Sequence, residues 1–165
     1  MQSKEVFTKM YEEHADALFR YCFFRVSDRE KALDILQDIF TKTWNYMSEG
    51  NSIENSKAFL YTTARHLIID EYRKKKSSSL DALIDQGLEP SIDVTYATET
   101  RIDASFAIEE IKKLPDMYNE ILFMRYVNDM SIRDIASLCN LNENVVSVRI
   151  HRGIGMLRKT IKEKE

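Results

Sequence analysis

The chain is poor in the residues that interrupt helices. Its 165 residues include only four glycines and two prolines, which favours an all-α fold over a β-fold with many turns. No apolar run reaches about 18 residues, so no transmembrane helix is predicted. The charged N-terminus lacks the apolar stretch of a signal peptide. We therefore expect a cytoplasmic protein without membrane insertion.

Motifs for catalysis and for metal binding are also scarce. Cys22 and Cys139 lie far apart in apolar surroundings, which predicts two reduced core thiols rather than a disulfide or a metal pair. The sequence contains no Cys-x-x-Cys, no glycine-rich phosphate loop and no nucleophile elbow. His66 and Asp70 have the spacing of two metal ligands on a helix, but no neighbouring histidine completes a site. We expect no catalytic residue, no metal, no cofactor and no small-molecule substrate.

Neither end of the chain carries a strong excess of positive charge. The net charge is −3, and the acidic excess is concentrated in residues 77–104, which hold six acidic residues and one arginine. Salt-dependent affinity for DNA scales with the number of phosphates that cations neutralise. If the chain binds DNA, it is therefore expected to need help from a partner.

Helical periodicity of apolar residues dominates both ends of the chain. An N-cap at Asp28 separates the first two predicted helices, and the second carries Phe40 and Trp44 as expected core anchors. A third predicted helix ends near Lys75. A loop with Gly50 precedes it.

A change in composition divides the chain. Residues 77–104 open with three serines and contain Gly87 and Pro90, which indicates a linker. Helical character is expected to resume near Ala97. The prediction is an all-α protein in which two small helical domains, residues 1–76 and 105–165, are joined by the flexible, acidic linker 77–104.

The segment Ser131–Lys159 predicts a helix-turn-helix. Ser131 and Asp134 resemble a capping box, Asn140 suits the left-handed residue of the turn, and Asn142 suits the N-cap of the final helix. This layout places the final helix in the major groove of DNA. The candidate DNA contacts of this motif are Arg133, Asn142, Glu143, Asn144, Ser147, Val148, Arg149, His151 and Arg152.

The residue types on the final helix match the chemistry of DNA. Asn and Arg can form bidentate contacts with adenine and guanine, and Val148 can touch a thymine methyl group. Arg149 and Arg152 can reach phosphates. The alternative is a solvated face on a plain helical bundle.

Aromatic and cationic residues are mixed in the third predicted helix. Unpaired bases stack on aromatic rings while cations follow the backbone. The alternative, that Phe59 and Tyr61 belong to the core, stays open. On the second predicted helix Asp34, Gln37 and Asp38 lie opposite the apolar stripe, and the residues alone favour a solvated face there.

Together these segments resemble a bacterial sigma factor of the extracytoplasmic-function type. Residues 32–40 and Trp44 resemble the polymerase-binding helix of that family, and residues 56–73 resemble its promoter-melting segment. Leu114-Pro115 and residues 131–152 resemble its fourth conserved region. Family members often carry Lys-Ser where this chain has Ser147-Val148.

The resemblance implies a role for each segment. Asp34, Gln37 and Asp38 would bind the clamp helices of the largest subunit of core RNA polymerase, and the final helix would read the minus-thirty-five element of promoter DNA. Flipped bases of the minus-ten element would be held by the promoter-melting set, which comprises Asn51, Asn55, Lys57, Phe59, Tyr61, Arg65 and Arg73. An anti-sigma factor is a further expected partner.

Two other functions remain as alternatives. A stand-alone helix-turn-helix regulator would bind DNA as a dimer, with the N-terminal half as a sensor or dimerisation domain. A helical enzyme would use His66 and Asp70.

Overall fold

The computed structural model describes residues 2–82 and 99–164 of the chain. Within these ranges it has seven α-helices and no strand, so the predicted all-α fold is confirmed. The chain divides into two compact units, Met1–Ser91 and Ile92–Glu165.

In the first unit, the described residues 2–82 form a bundle of three helices. These are α1 (Gln2–Val26), α2 (Arg29–Ser48) and α3 (Ser56–Ala82), and each packs against the other two. Apolar residues spaced three and four apart bury one stripe of each helix. The fully buried side chains include Leu18, Tyr21, Ile39, Leu60 and Ile68.

The start of α2 is fixed by polar contacts. The Lys31 backbone N–H donates to Asp28 Oδ1 over 3.2 Å, so the predicted N-cap is confirmed. Lys31 Nζ lies 2.8 Å from Glu71 Oε1 and joins α2 to α3. The hydrogen bond from Lys31 lowers the pKa of Glu71.

The two expected core anchors of α2 differ in burial. Phe40 is buried, whereas 39% of Trp44 is exposed, and its ring meets that of Phe7 edge-on at a centroid distance of 5.2 Å. The prediction of a core position was wrong for Trp44, because the apolar stripe of α2 is wider than the surface that α1 and α3 cover.

Helices extend into both ends of the segment predicted as a linker. Helix α3 continues to Ala82, beyond the expected end near Lys75, and α4 begins at Glu99. The three serines change the composition but do not stop a helix. Gly87 and Pro90, the other two signals used for the linker, lie outside the described residues.

The described residues of the second unit, 99–164, form four helices. These are α4 (Glu99–Lys112), α5 (Asp116–Tyr126), α6 (Ile132–Cys139) and α7 (Glu143–Lys164). Helix α7 packs on α4, α5 and α6. A Cβ atom built on Gly153 would lie 2.8 Å from Leu122 Cδ1, so glycine allows the close approach of α7 to α5.

The two cysteines have different surroundings. Cys22 is fully buried, which raises the pKa of its thiol to about 12, and Cys139 is only half-buried. Neither forms a disulfide in the ranges that the structure describes.

Candidate nucleic-acid and polymerase interfaces

Three capping contacts shape the helix-turn-helix. The Asp134 backbone N–H donates to Ser131 Oγ over 3.0 Å at the start of α6. Asn140 ends α6 in the left-handed region, with φ 56° and ψ 45°. The Val145 backbone N–H donates to Asn142 Oδ1 over 2.8 Å at the start of α7. All three predicted turn and cap positions are confirmed.

Most candidate DNA contacts of α7 lie on the exposed side of the helix. Val146, Ile150 and Gly153 are buried on the opposite side. The exposed members of the predicted set are Asn142, Glu143, Asn144, Ser147, Val148, His151 and Arg152, with Arg133 exposed on α6. Arg149 is half-buried. The sequence therefore identified which face of α7 is available to a ligand.

The N-cap contact restricts what Asn142 can do. A bidentate contact with adenine uses both the oxygen and the nitrogen of the amide. The oxygen of Asn142 already accepts the Val145 N–H. Asn144 is exposed one residue inside α7 and is a second candidate for that contact.

One residue outside the motif joins this face. Met117, near the start of α5, lines an open concavity of about 440 Å³ together with Asn144, Val148 and Arg152 of α7. The remaining lining residues are Asn142, Val145 and Arg149. Sequence reasoning missed Met117 because nothing within the motif signals which residue of another helix lies beside it.

Three polar residues of α2 form the predicted polymerase-contact face. Asp34, Gln37 and Asp38 are all exposed, and their spacing of three and four residues puts them on one side of the helix. An apolar groove of about 520 Å³ between α1 and α2 borders this face and shares Gln37 with it. Its apolar lining comprises Phe7, Tyr11, Leu33, Leu36, Phe40 and Trp44.

The loop before α3 is held by its two predicted asparagines. Asn51 Nδ2 donates to the Tyr46 carbonyl over 3.0 Å, and the Ala58 backbone N–H donates to Asn55 Oδ1 over 3.0 Å. Asn55 therefore caps α3. Both side chains shape the loop, and both are exposed beside it.

The two predicted aromatic residues of α3 have different positions. Phe59 is half-buried, and its ring lies 5.1 Å from that of Tyr46, which is 37% exposed. Tyr61 is only 1% exposed and packs against Tyr21 at 5.5 Å. Burial raises the pKa of the Tyr61 phenol to about 12.

Tyr61 is therefore corrected from a base-contact candidate to a core residue, because a base could reach its ring only if the bundle opened. Tyr46, which sequence reasoning missed, supplies the exposed ring beside Phe59. Its signal was its place in the last turn of α2, next to the polar loop.

The cations of α3 vary in exposure. Lys57 and Arg65 are half-buried, while Arg73 is exposed with its Nη1 4.0 Å from Asp70 Oδ1. Asp70 therefore faces a cation of its own helix. No group of three or more potential metal ligands occurs among residues 2–82 and 99–164. In those same ranges no helix is long and apolar enough to cross a bilayer.

Both units match known families. Residues 10–78 match Sigma-70 region 2, and residues 107–157 match Sigma-70, region 4. The chain belongs to the sigma-70 family. It is a sigma factor of the extracytoplasmic-function type, and such a factor directs promoter-specific initiation of transcription.

Relatives of this sigma factor span nearly its whole length. It is 26% identical over 155 residues to the ECF RNA polymerase sigma factor SigL of Mycobacterium tuberculosis, covering 93% of this chain and 88% of SigL. It is 26% identical over 170 residues to SigW of Bacillus subtilis, covering 97% of this chain and 91% of SigW. Nothing in these comparisons favours the stand-alone regulator.

A solved structure shares the fold. The sigma factor RpoE of Bartonella quintana, in a complex with the anti-sigma factor NepR, aligns with a TM-score of 0.80 at 22% identity. The alignment covers 96% of this chain and 98% of RpoE.

Proposed function

We propose that this sigma factor makes two separate promoter contacts that act together only on core RNA polymerase. Residues 1–76 form the domain that binds polymerase and melts the minus-ten element, and residues 105–165 form the domain that reads the minus-thirty-five element. Residues 77–104 link them. The observation that carries the proposal is the pair of Sigma-70 regions, one in each compact unit.

The polymerase contact is assigned to the exposed face of α2. Asp34 and Asp38 present two carboxylates one helical turn apart, with Gln37 beside them. Exposed carboxylates and an amide suit a partner surface that is rich in hydrogen-bond donors. We propose that this partner surface belongs to the clamp helices of the largest polymerase subunit.

Strand separation is assigned to the loop of residues 49–55 and the start of α3. Tyr46 and Phe59 offer neighbouring rings on which an unpaired base can stack. The phosphate backbone of the separated strand is contacted by three cations, Lys57, Arg65 and Arg73. Tyr61 supports this surface from the core.

Duplex recognition is assigned to α7. The helix starts at a capped turn, and its outer side carries amide, hydroxyl, imidazole and guanidinium groups. These groups can pair with base edges and phosphates in the major groove. The roles belong to Asn144, Ser147, His151 and Arg152, with Arg133 of α6 on a phosphate.

The sigma factor performs no chemistry itself and acts in the cytoplasm, where the polymerase is. An anti-sigma factor is proposed as its regulator, because the sigma factor RpoE, which shares its fold, was solved in a complex with the anti-sigma factor NepR. CnrH, which aligns at a TM-score of 0.71 and 17% identity, was likewise solved with a partner, the cytosolic domain of CnrY.

A charge reversal tests the polymerase contact. The double variant Asp34→Lys, Asp38→Lys should weaken binding to core polymerase by about tenfold or more, because like charges across an interface are repulsive. Binding is measured by the fluorescence anisotropy of labelled sigma factor titrated with core. Asp16→Lys, which changes an exposed carboxylate of α1 rather than of α2, is the control and should bind normally. Normal binding by the double variant would contradict the assignment.

A further inference from the structure

The reading face of α7 has an apolar centre. Val148 of α7 and Met117 of α5 are each 45% exposed, and both line the same open concavity. Val146 and Ile150 already fill the core on the buried side of α7. Exposure of two large apolar side chains at one place is therefore not a requirement of folding.

Polar groups surround this apolar centre. Asn144, Val148 and Arg152 follow one another at intervals of four residues, so they form a row along α7 with hydrogen-bonding groups at both ends. Arg149 lines the same concavity. Two guanidinium groups beside an apolar patch suit a ligand that combines anionic phosphates with one apolar group.

Duplex DNA has such a group at one base. In the major groove thymine alone presents an apolar substituent, its C5 methyl. We propose that Val148 and Met117 form a methyl-binding surface that selects thymine in the minus-thirty-five element. Met117 makes the second wall of this surface from outside the helix-turn-helix. The inference rests on the proposed role of α7 in reading that element.

The contact with one thymine methyl group determines how much the affinity for the promoter should change. Burial of one methyl group from water changes an affinity by about fourfold. Replacing thymine by deoxyuridine removes this methyl and leaves base pairing intact, so the substitution isolates the contact. Val148→Ser removes both methyl groups on the protein side.

The experiment uses holoenzyme assembled from the full chain and bacterial core polymerase. A promoter is first selected by transcription from a library randomised upstream, and each thymine of the selected element is then replaced by deoxyuridine. At one position or more, holoenzyme should bind the deoxyuridine promoter about fourfold more weakly. The ratio of the Kd for the deoxyuridine promoter to the Kd for the thymine promoter should fall towards one in Val148→Ser. The same ratio should decrease in Met117→Ala. Met156→Ala should keep the original ratio, because Met156 is exposed but does not line the concavity.

Three outcomes would overturn the inference. They are a selected element without thymine, a holoenzyme that binds both bases equally at every position, and a thymine preference that Val148→Ser retains. In each case promoter-specific transcription continues and the proposed function stands. A chain that forms no holoenzyme would overturn the proposed function together with this inference.

Discussion

The close packing of α5 and α7 leads to a quantitative prediction of how alanine at two glycine positions changes stability. A Cβ atom at position 153 would lie 2.8 Å from Leu122 Cδ1 and 3.2 Å from its Cγ. Leu122 is fully buried, so its side chain can make room only by shifting against other core side chains. A Cβ atom at position 155, half a turn along the same helix, would meet nothing within 4 Å.

The two alanine variants differ mainly in this contact. Each gains about 1 kcal/mol of helix propensity over glycine. At position 153 the new methyl group also overpacks the core, which costs about 1–3 kcal/mol. Gly155→Ala should therefore stabilise the second unit by about 1 kcal/mol. Gly153→Ala should range from neutral to destabilising by about 2 kcal/mol.

The comparison is made in the full chain. Unfolding in urea is monitored by hydrogen exchange and mass spectrometry. Peptides from α5 and α7 then report on the second unit separately from the first. The difference between the variants cancels the shared propensity gain and measures the crossing contact alone. If Gly153→Ala protects these peptides as well as Gly155→Ala does, the reasoning about the crossing is wrong.

Three further predictions concern other positions. Tyr46→Ala should slow promoter opening, measured by the permanganate reactivity of thymines in the minus-ten element. Tyr46→Phe keeps the ring beside Phe59 and should open the promoter normally. Equal opening by both variants would contradict the stacking surface. The pKa of Glu71 is lowered by Lys31, so the stability from this pair is present at neutral pH and lost as the pH falls below the ordinary value of 4.5. Glu71→Gln should therefore lose less stability on acidification than the unmodified chain, measured by thermal unfolding across pH, and an equal loss would contradict this. Asn140→Val should lower the free energy of unfolding by about 1–2 kcal/mol, because a β-branched residue is strained at φ 56°. Asn140→Gly should not destabilise the protein. Equal stabilities of the two variants in urea unfolding would argue against strain at this turn.

Local signals in the sequence predicted the first three helices, the helix-turn-helix and four cap or turn positions. Asp28, Ser131, Asn140 and Asn142 were recognisable because capping depends on one side chain and the few backbone groups after it. The exposed face of α7 followed from helical periodicity. The end of α3 was predicted too early, because a change in composition was taken as a helix stop.

Contacts between helices could not be read in the same way. The pattern around Tyr61 left its burial open, because it does not show which side of α3 the other helices cover. Trp44 was expected in the core for the same reason. Tyr46 and Met117 were missed because each comes beside the site through packing with a different helix, and that packing leaves no local motif.

The central claim is that the two promoter contacts of this sigma factor are useful only when polymerase holds them at the right spacing. The most direct measurement is the Kd of a duplex that carries both promoter elements, determined at about 0.15 M salt for the isolated chain and for the holoenzyme. The isolated chain should bind at the non-specific level, with a Kd of about 10⁻⁶ M or weaker, and addition of core should tighten binding and make it promoter-specific. A sequence-specific Kd of about 10⁻⁸ M or tighter for the isolated chain would contradict the claim.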